Sequence, residues 1–197
     1  MASLPQCRSL EYVKQFNITA TDLAVVVASF LAFVGAFHLN QYLDRYMLYA
    51  PGVSLIFIPA GVKLLAILIG RLPAIVGLYI ASVYASTEIW HDLQTASLYL
   101  FAAVSVFSYA IAVYVVMILV GIFRNLNNLR YHHIVVLSFS ASMFNSVVHN
   151  AAFLVVGVTA VDAQWATSTA MAFGDFLGCL AVVSFFHAVA LMFKKVS

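Results

Sequence analysis

Charge is what this sequence lacks most. Lysine and arginine number nine and aspartate and glutamate seven, so charged residues make up 8% of the 197 positions. A soluble domain carries roughly 25%. With 64% hydrophobic residues the chain has too little polar surface to be wetted all round, and the solvent that suits it is lipid. No basic stripe is present, which argues against nucleic acid as a partner. Cysteine is also scarce: Cys7 lies in the polar leader and Cys179 inside the last apolar run. Their different expected depths argue against a disulfide between them and against a cysteine metal site. Long polar stretches are missing as well. The leader and connections of about ten residues leave no room for a kinase, a cyclase, a nucleotide-binding loop or a DNA-binding module. No internal repeat supports an inverted-repeat transporter.

What is present is a series of apolar runs. Residues 23–39, 51–70, 72–87, 95–123, 134–161 and 163–193 each approach or exceed the roughly 20 residues needed to span a bilayer. The expected fold is all-α, a polytopic membrane bundle of about six helices. It comprises a leader over 1–20, a transmembrane domain over 21–193 and a tail over 194–197. Thr21 or Asp22 is the expected N-cap of the first helix. Leu10, Val13 and Phe16 suggest an interfacial helix in the leader, with a frayed tail as the alternative.

Loop charges orient the array. Arg8, Lys14, Arg71, Arg124, Arg130, Lys194 and Lys195 fall on one side. Asp44, Arg45, Glu88, Asp92 and Asp162 fall on the other. The positive-inside rule puts both termini in the cytoplasm. Trp90 and Trp165 at the outer ends fit an interfacial belt. Tyr42, Tyr46 and Tyr49, in an outer loop expected over 40–50, form either such a belt or a docking face for another membrane protein.

One lysine does not fit the loop pattern. Lys63 sits inside the second run, twelve residues beyond Pro51, and Asp175 sits twelve beyond Ala163. At 1.5 Å per residue both lie about 18 Å below the outer boundary. Asn145, His149 and Asn150 of the fifth run reach a similar level. Isolated charge is expensive in hydrocarbon, so the expectation is a Lys63–Asp175 pair completed by Asn145, His149 or Asn150. Pro59 predicts a kink or break in the second helix. Gly61, and the Gly174/Gly178 pair on the sixth, predict close helix packing. Only His149 is central among the histidines, which argues against bis-histidine haem. No helix shows metal-ligand spacing, and no nucleophile has a neighbouring base, so a metal site and an enzyme are not expected. The sequence names no cofactor.

Ile58-Pro59-Ala60-Gly61 leading to Gly70-Arg71, with Pro73 and Gly77 beyond, resembles the Pro-x-Gly segment of MASE1-type integral membrane sensory domains. Gly174-Asp175-Phe176-Leu177-Gly178 resembles that family's Gly-Asp-x-x-Gly segment. The resemblance implies a bacterial inner-membrane sensor, with the family's motif residues falling on Pro59, Gly61, Gly174, Asp175 and Gly178. This chain is shorter than the usual eight-helix domain and has no effector. The expected function is therefore a non-enzymatic, sensor-like or accessory subunit acting through helix contacts with a membrane partner. The alternative is a small-solute or ion-coupled transport component with a mid-membrane polar site.

Overall fold

Thr19 opens the first helix. Its hydroxyl accepts from the Asp22 N–H while the Asp22 carboxylate accepts from the Thr19 N–H, a reciprocal cap two residues ahead of the nearer expected position. The computed structural model describes residues 19–196, and the backbone alone at 190, 191 and 193–196; the leader, with Cys7 and its suggested interfacial helix, lies outside the described residues. The helices are α1 (Ala20–Met47), α2 (Ile58–Ile89), α3 (Thr95–Val120), α4 (Tyr131–Val156) and α5 (Gln164–Val196). All five are long and apolar enough to cross a membrane. The described chain is an all-α bundle of the kind that multi-pass membrane proteins form.

Its surface agrees with that. Leu31 on α1, Ile118 on α3 and Val155 on α4 are 60%, 80% and 83% exposed. Helices apolar on their outer as well as inner faces are at home in lipid. Glycine in the left-handed region stops two of them: Gly121 ends α3 and Gly157 ends α4, each offering its N–H to carbonyls of the last turn.

Several boundaries differ from the sequence expectation. The first helix runs on to Met47, so Tyr42 and Tyr46 stand on helix rather than in a loop. Tyr49 lies on β1 (Leu48–Ala50), which pairs antiparallel with β2 (Val53–Ser54) across the Pro51-Gly52 turn. The stretch 51–57 is therefore not helical. Pro59 does not break a helix; it sits in the first turn of α2, where its missing N–H costs nothing.

Residues 58–89 are two helices joined end to end at Arg71, whose φ of 53° and ψ of −133° are not helical. The chain reverses there. Ile58 donates to Asn40 and Gly70 abuts Val25, so residues 58–70 run back along α1. Gly77 then abuts Val26, and Tyr84 meets His38 at 3.2 Å, so residues 72–89 run the same way as α1. The second and third expected runs are the two arms of this turn.

The glycine stripe of α5 also meets something other than a helix. A Cβ on Gly174 would strike the Ser54 carbonyl, and one on Gly178 the Phe57 carbonyl. Non-helical backbone over 54–57 packs against α5, and the Phe57 N–H donates to the Gly174 carbonyl at 2.9 Å. Gly61 packs against Val182 and the Gly178 carbonyl one turn further on. The glycines admit a backbone strand into the bundle.

Candidate functional site

The start of α2 is tied down just ahead of Lys63. Asn40, itself 1% exposed, accepts the otherwise free Ile58 N–H at 2.8 Å. Its amide donates to Asp44 at 2.9 Å and to Ser54 at 3.1 Å, and Ser54 donates to Asp44 at 2.5 Å. This knot ties the start of α2 to α1 and to β2. Lys63 follows at the second turn of α2 and is 1% exposed.

Its ammonium donates to the Ser105 hydroxyl on α3 at 2.9 Å. It also stands 4.4 Å from the ring centroid of Tyr109 and 5.7 Å from that of Phe57. Those aromatic faces supply part of the attraction that water would otherwise give. Asp175, 3% exposed on α5, accepts from the Asn145 amide at 2.8 Å and from the Tyr109 hydroxyl at 3.3 Å. No direct hydrogen bond or close ion pair joins Lys63 to Asp175; Tyr109 links the two instead, its ring against the ammonium and its hydroxyl on the carboxylate.

The rest of the cluster serves that arrangement. Ser108 donates to Asn145 Oδ1 at 2.7 Å, which turns the Asn145 N–H groups toward Asp175. The Tyr109 hydroxyl lies 3.1 Å from Ser142 and 3.7 Å from the Cys179 sulfur. Helices α2, α3, α4 and α5 all contribute. A polar network this deep holds its members in register because each lost partner leaves a buried group unpaired.

Next to the network is a cavity of about 60 Å³ lined by Lys63, Ser82, Ser105, Asn145, His149 and Asp175. Gly52, Ser54 and Trp90 line it at the β-hairpin end of the bundle. Two buried atoms on its wall have no hydrogen-bond partner: Ser82 Oγ and His149 Nδ1. His149 is held by aromatic rings, its centroid 4.7 Å from Phe153 and 5.8 Å from Phe101. On the far side of Lys63 the interior is apolar: Leu64, Ile67, Leu78, Val113 and Leu137 are all 0% exposed.

Of the residues singled out by depth, Lys63, Asn145, His149 and Asp175 line this one cavity. Asn150 does not join them. Although next to His149 in sequence, it donates to the Ser146 carbonyl at 2.8 Å and to the Met171 sulfur at 3.6 Å and does not line the cavity. Pro59, Gly61, Gly174 and Gly178 take structural places around the site rather than in it. Sequence reasoning missed Tyr109, the common partner of both charges, along with Ser82, Ser105 and the Asn40 knot. Tyr109 carries a usable signal: it lies in the middle of an apolar α3, where a hydroxyl must find a partner. Comparison with family models, with curated proteins and with solved structures finds no match.

Proposed function

We propose that this protein is a non-enzymatic, sensor-like membrane subunit that binds a small polar solute in its core and passes the event to a membrane partner through helix contacts. The observation that carries the reading is the one-sided cavity. Polar, partly unpartnered groups face the β-hairpin end, while a fully buried apolar layer closes the other. A site reached from one side and sealed beyond it suits detection better than passage. Occupancy would act directly on Lys63 and Asp175, which join four helices.

The proposed setting is a bacterial inner membrane with six crossings and both termini cytoplasmic. The reversal at Arg71 supports the count, since it gives the two arms of α2 opposite directions. Arg71, Arg124 and Arg130 at the end away from the hairpin support the orientation, the Arg71 guanidinium binding the Arg124 carbonyl there. The MASE1-like segments at Pro59–Gly61 and Gly174–Gly178 support a sensory role. Tyr42, Tyr46 and Tyr49, each exposed near the hairpin, are the proposed contact with the partner.

The test is purification from native membranes in mild detergent. The expected result is recovery with a stoichiometric membrane protein, and a changed yield of that partner for Lys63→Met. Recovery as a lone monomer overturns the subunit role. Transport is the second reading, favoured by the presence of both a cation and an anion on the cavity wall. Solute uptake into vesicles containing only this protein would establish it.

A further inference from the structure

The chemistry of the cavity wall defines the solute. The wall carries one lysine and one aspartate, whose opposite charges sum to zero. An imidazole of ordinary pKa, about 6.5, is mostly uncharged at neutral pH, and the hydroxyls of Ser82 and Ser105 add no charge. The groups with capacity to spare are of both kinds. Lys63 has three N–H donors and spends one on Ser105, and Ser82 Oγ and His149 Nδ1 are unpartnered. The Asp175 bonds that are made both end on Oδ2, which leaves Oδ1 as an acceptor on a residue of the cavity wall.

The volume defines the size. About 60 Å³, where one water takes roughly 30 Å³ of liquid volume, holds about two waters or one solute of comparable bulk. The walls between the polar groups are aromatic, including Phe57, Trp90 and Phe101. Such a chamber is unsuited to a solute with net charge. Its unbalanced charge would be stripped of water with no counter-charge left to meet it, because Lys63 and Asp175 already compensate each other.

We infer that the cavity binds a small dipolar solute of zero net charge, with its acceptor end on Lys63 and Ser82 and its donor end toward Asp175 and His149. Urea-type amides belong to this class by charge and come nearest to it in size; the smallest amino-acid zwitterion belongs to it by charge. The inference rests on the sensor-like reading for its meaning but not for its test, because binding is measured on the purified chain without a partner.

Trp90 lines the cavity and Trp165, the other tryptophan, is 80% exposed, so a Trp165→Phe background leaves Trp90 as sole reporter. That protein in lipid nanodiscs is titrated with glycine, urea, acetate and guanidinium. The expected result is a saturable change in Trp90 emission and a raised unfolding temperature with glycine or urea. Acetate and guanidinium are expected to need at least tenfold higher concentrations. Ser82→Ala, a small change that leaves the charges in place, is expected to weaken the response severalfold, and Lys63→Met to abolish it. Acetate or guanidinium binding as well as the neutral probes overturns the inference, and so does a response to none of the four, the cavity then holding water alone. A partner recovered from membranes together with silent probes would retain the subunit role and discard this ligand class. Bound probes without a partner would do the reverse.

Discussion

The two halves of the bundle are built on different terms. Toward the β-hairpin the interior is polar and incompletely filled, with Lys63, Asp175, Asn145, Ser82 and Asn40 all buried around or above a cavity of about 60 Å³. Away from it the interior is closed by Leu64, Ile67, Leu78, Val113 and Leu137. The same helices run through both halves, so the change falls along each helix rather than between helices. Stability in the closed half comes from packing, and in the open half from the pairing of groups that would each be costly alone. The halves should therefore answer substitution differently.

The largest effect is expected from splitting the charges. Asp175→Leu leaves Lys63 buried without its counter-charge and should cost about 3–5 kcal/mol. Adding Lys63→Met to it should return most of that loss and turn the open half into a second closed one. Unfolding in mixed micelles would read both, and a double variant no more stable than Asp175→Leu would show that the charges do not depend on each other. Close behind comes the closed half: Leu137→Ala should cost about 2–5 kcal/mol through cavity formation while leaving Trp90 emission unchanged. A shifted Trp90 spectrum there would mean that the two halves communicate.

Next are the glycines that admit residues 54–57. Gly174→Ala and Gly178→Ala each place a methyl against a carbonyl of that segment and should cost about 1–3 kcal/mol or more. Cysteine labelling at Ser54 would reveal whether the segment has been pushed out. Asn40→Ala removes the acceptor of the Ile58 N–H and should cost about 1–3 kcal/mol, read as faster amide exchange at the start of α2. The smallest effect belongs to Tyr46→Ser. At 85% exposure the change should alter stability by less than about 0.5 kcal/mol. Loss of a co-purifying partner at unchanged stability would mark Tyr46 as part of a docking face.

The sequence makes the bundle legible because apolar runs and loop charges are properties of single segments. Counting along each run puts Lys63, Asp175, Asn145 and His149 at one level, and the structure has them on one cavity wall. Counting fails where the chain is not helical. It takes Pro51 as a helix start, whereas Pro51-Gly52 is a hairpin turn and the helix opens seven residues later at Ile58. The signal was there in the Pro-Gly pair, but an apolar flank masks a turn in a chain this hydrophobic. Pro59 reads as a breaker or an opener depending on that same boundary. Asn40 and Tyr109 escape for another reason. Their roles exist only once three or more elements are brought together, and depth on one helix says nothing about azimuth around it.

The reversal at Arg71 bears on how the protein enters its membrane. The arm over 58–70 holds about 13 residues and reaches about 20 Å, less than the roughly 30 Å of a hydrocarbon core. It also carries Lys63. Such a segment is a poor candidate to partition from the ribosome into lipid by itself. On the proposed topology of six crossings, joined through one left-handed residue to the apolar arm over 72–89, it would enter as half of a hairpin, its lysine turned to the interior. Insertion of Lys63 is then a collective event that waits on chain not yet made when the lysine emerges. A proline at Arg71, which cannot adopt positive φ, would expose this dependence as a failure of biogenesis before any failure of binding.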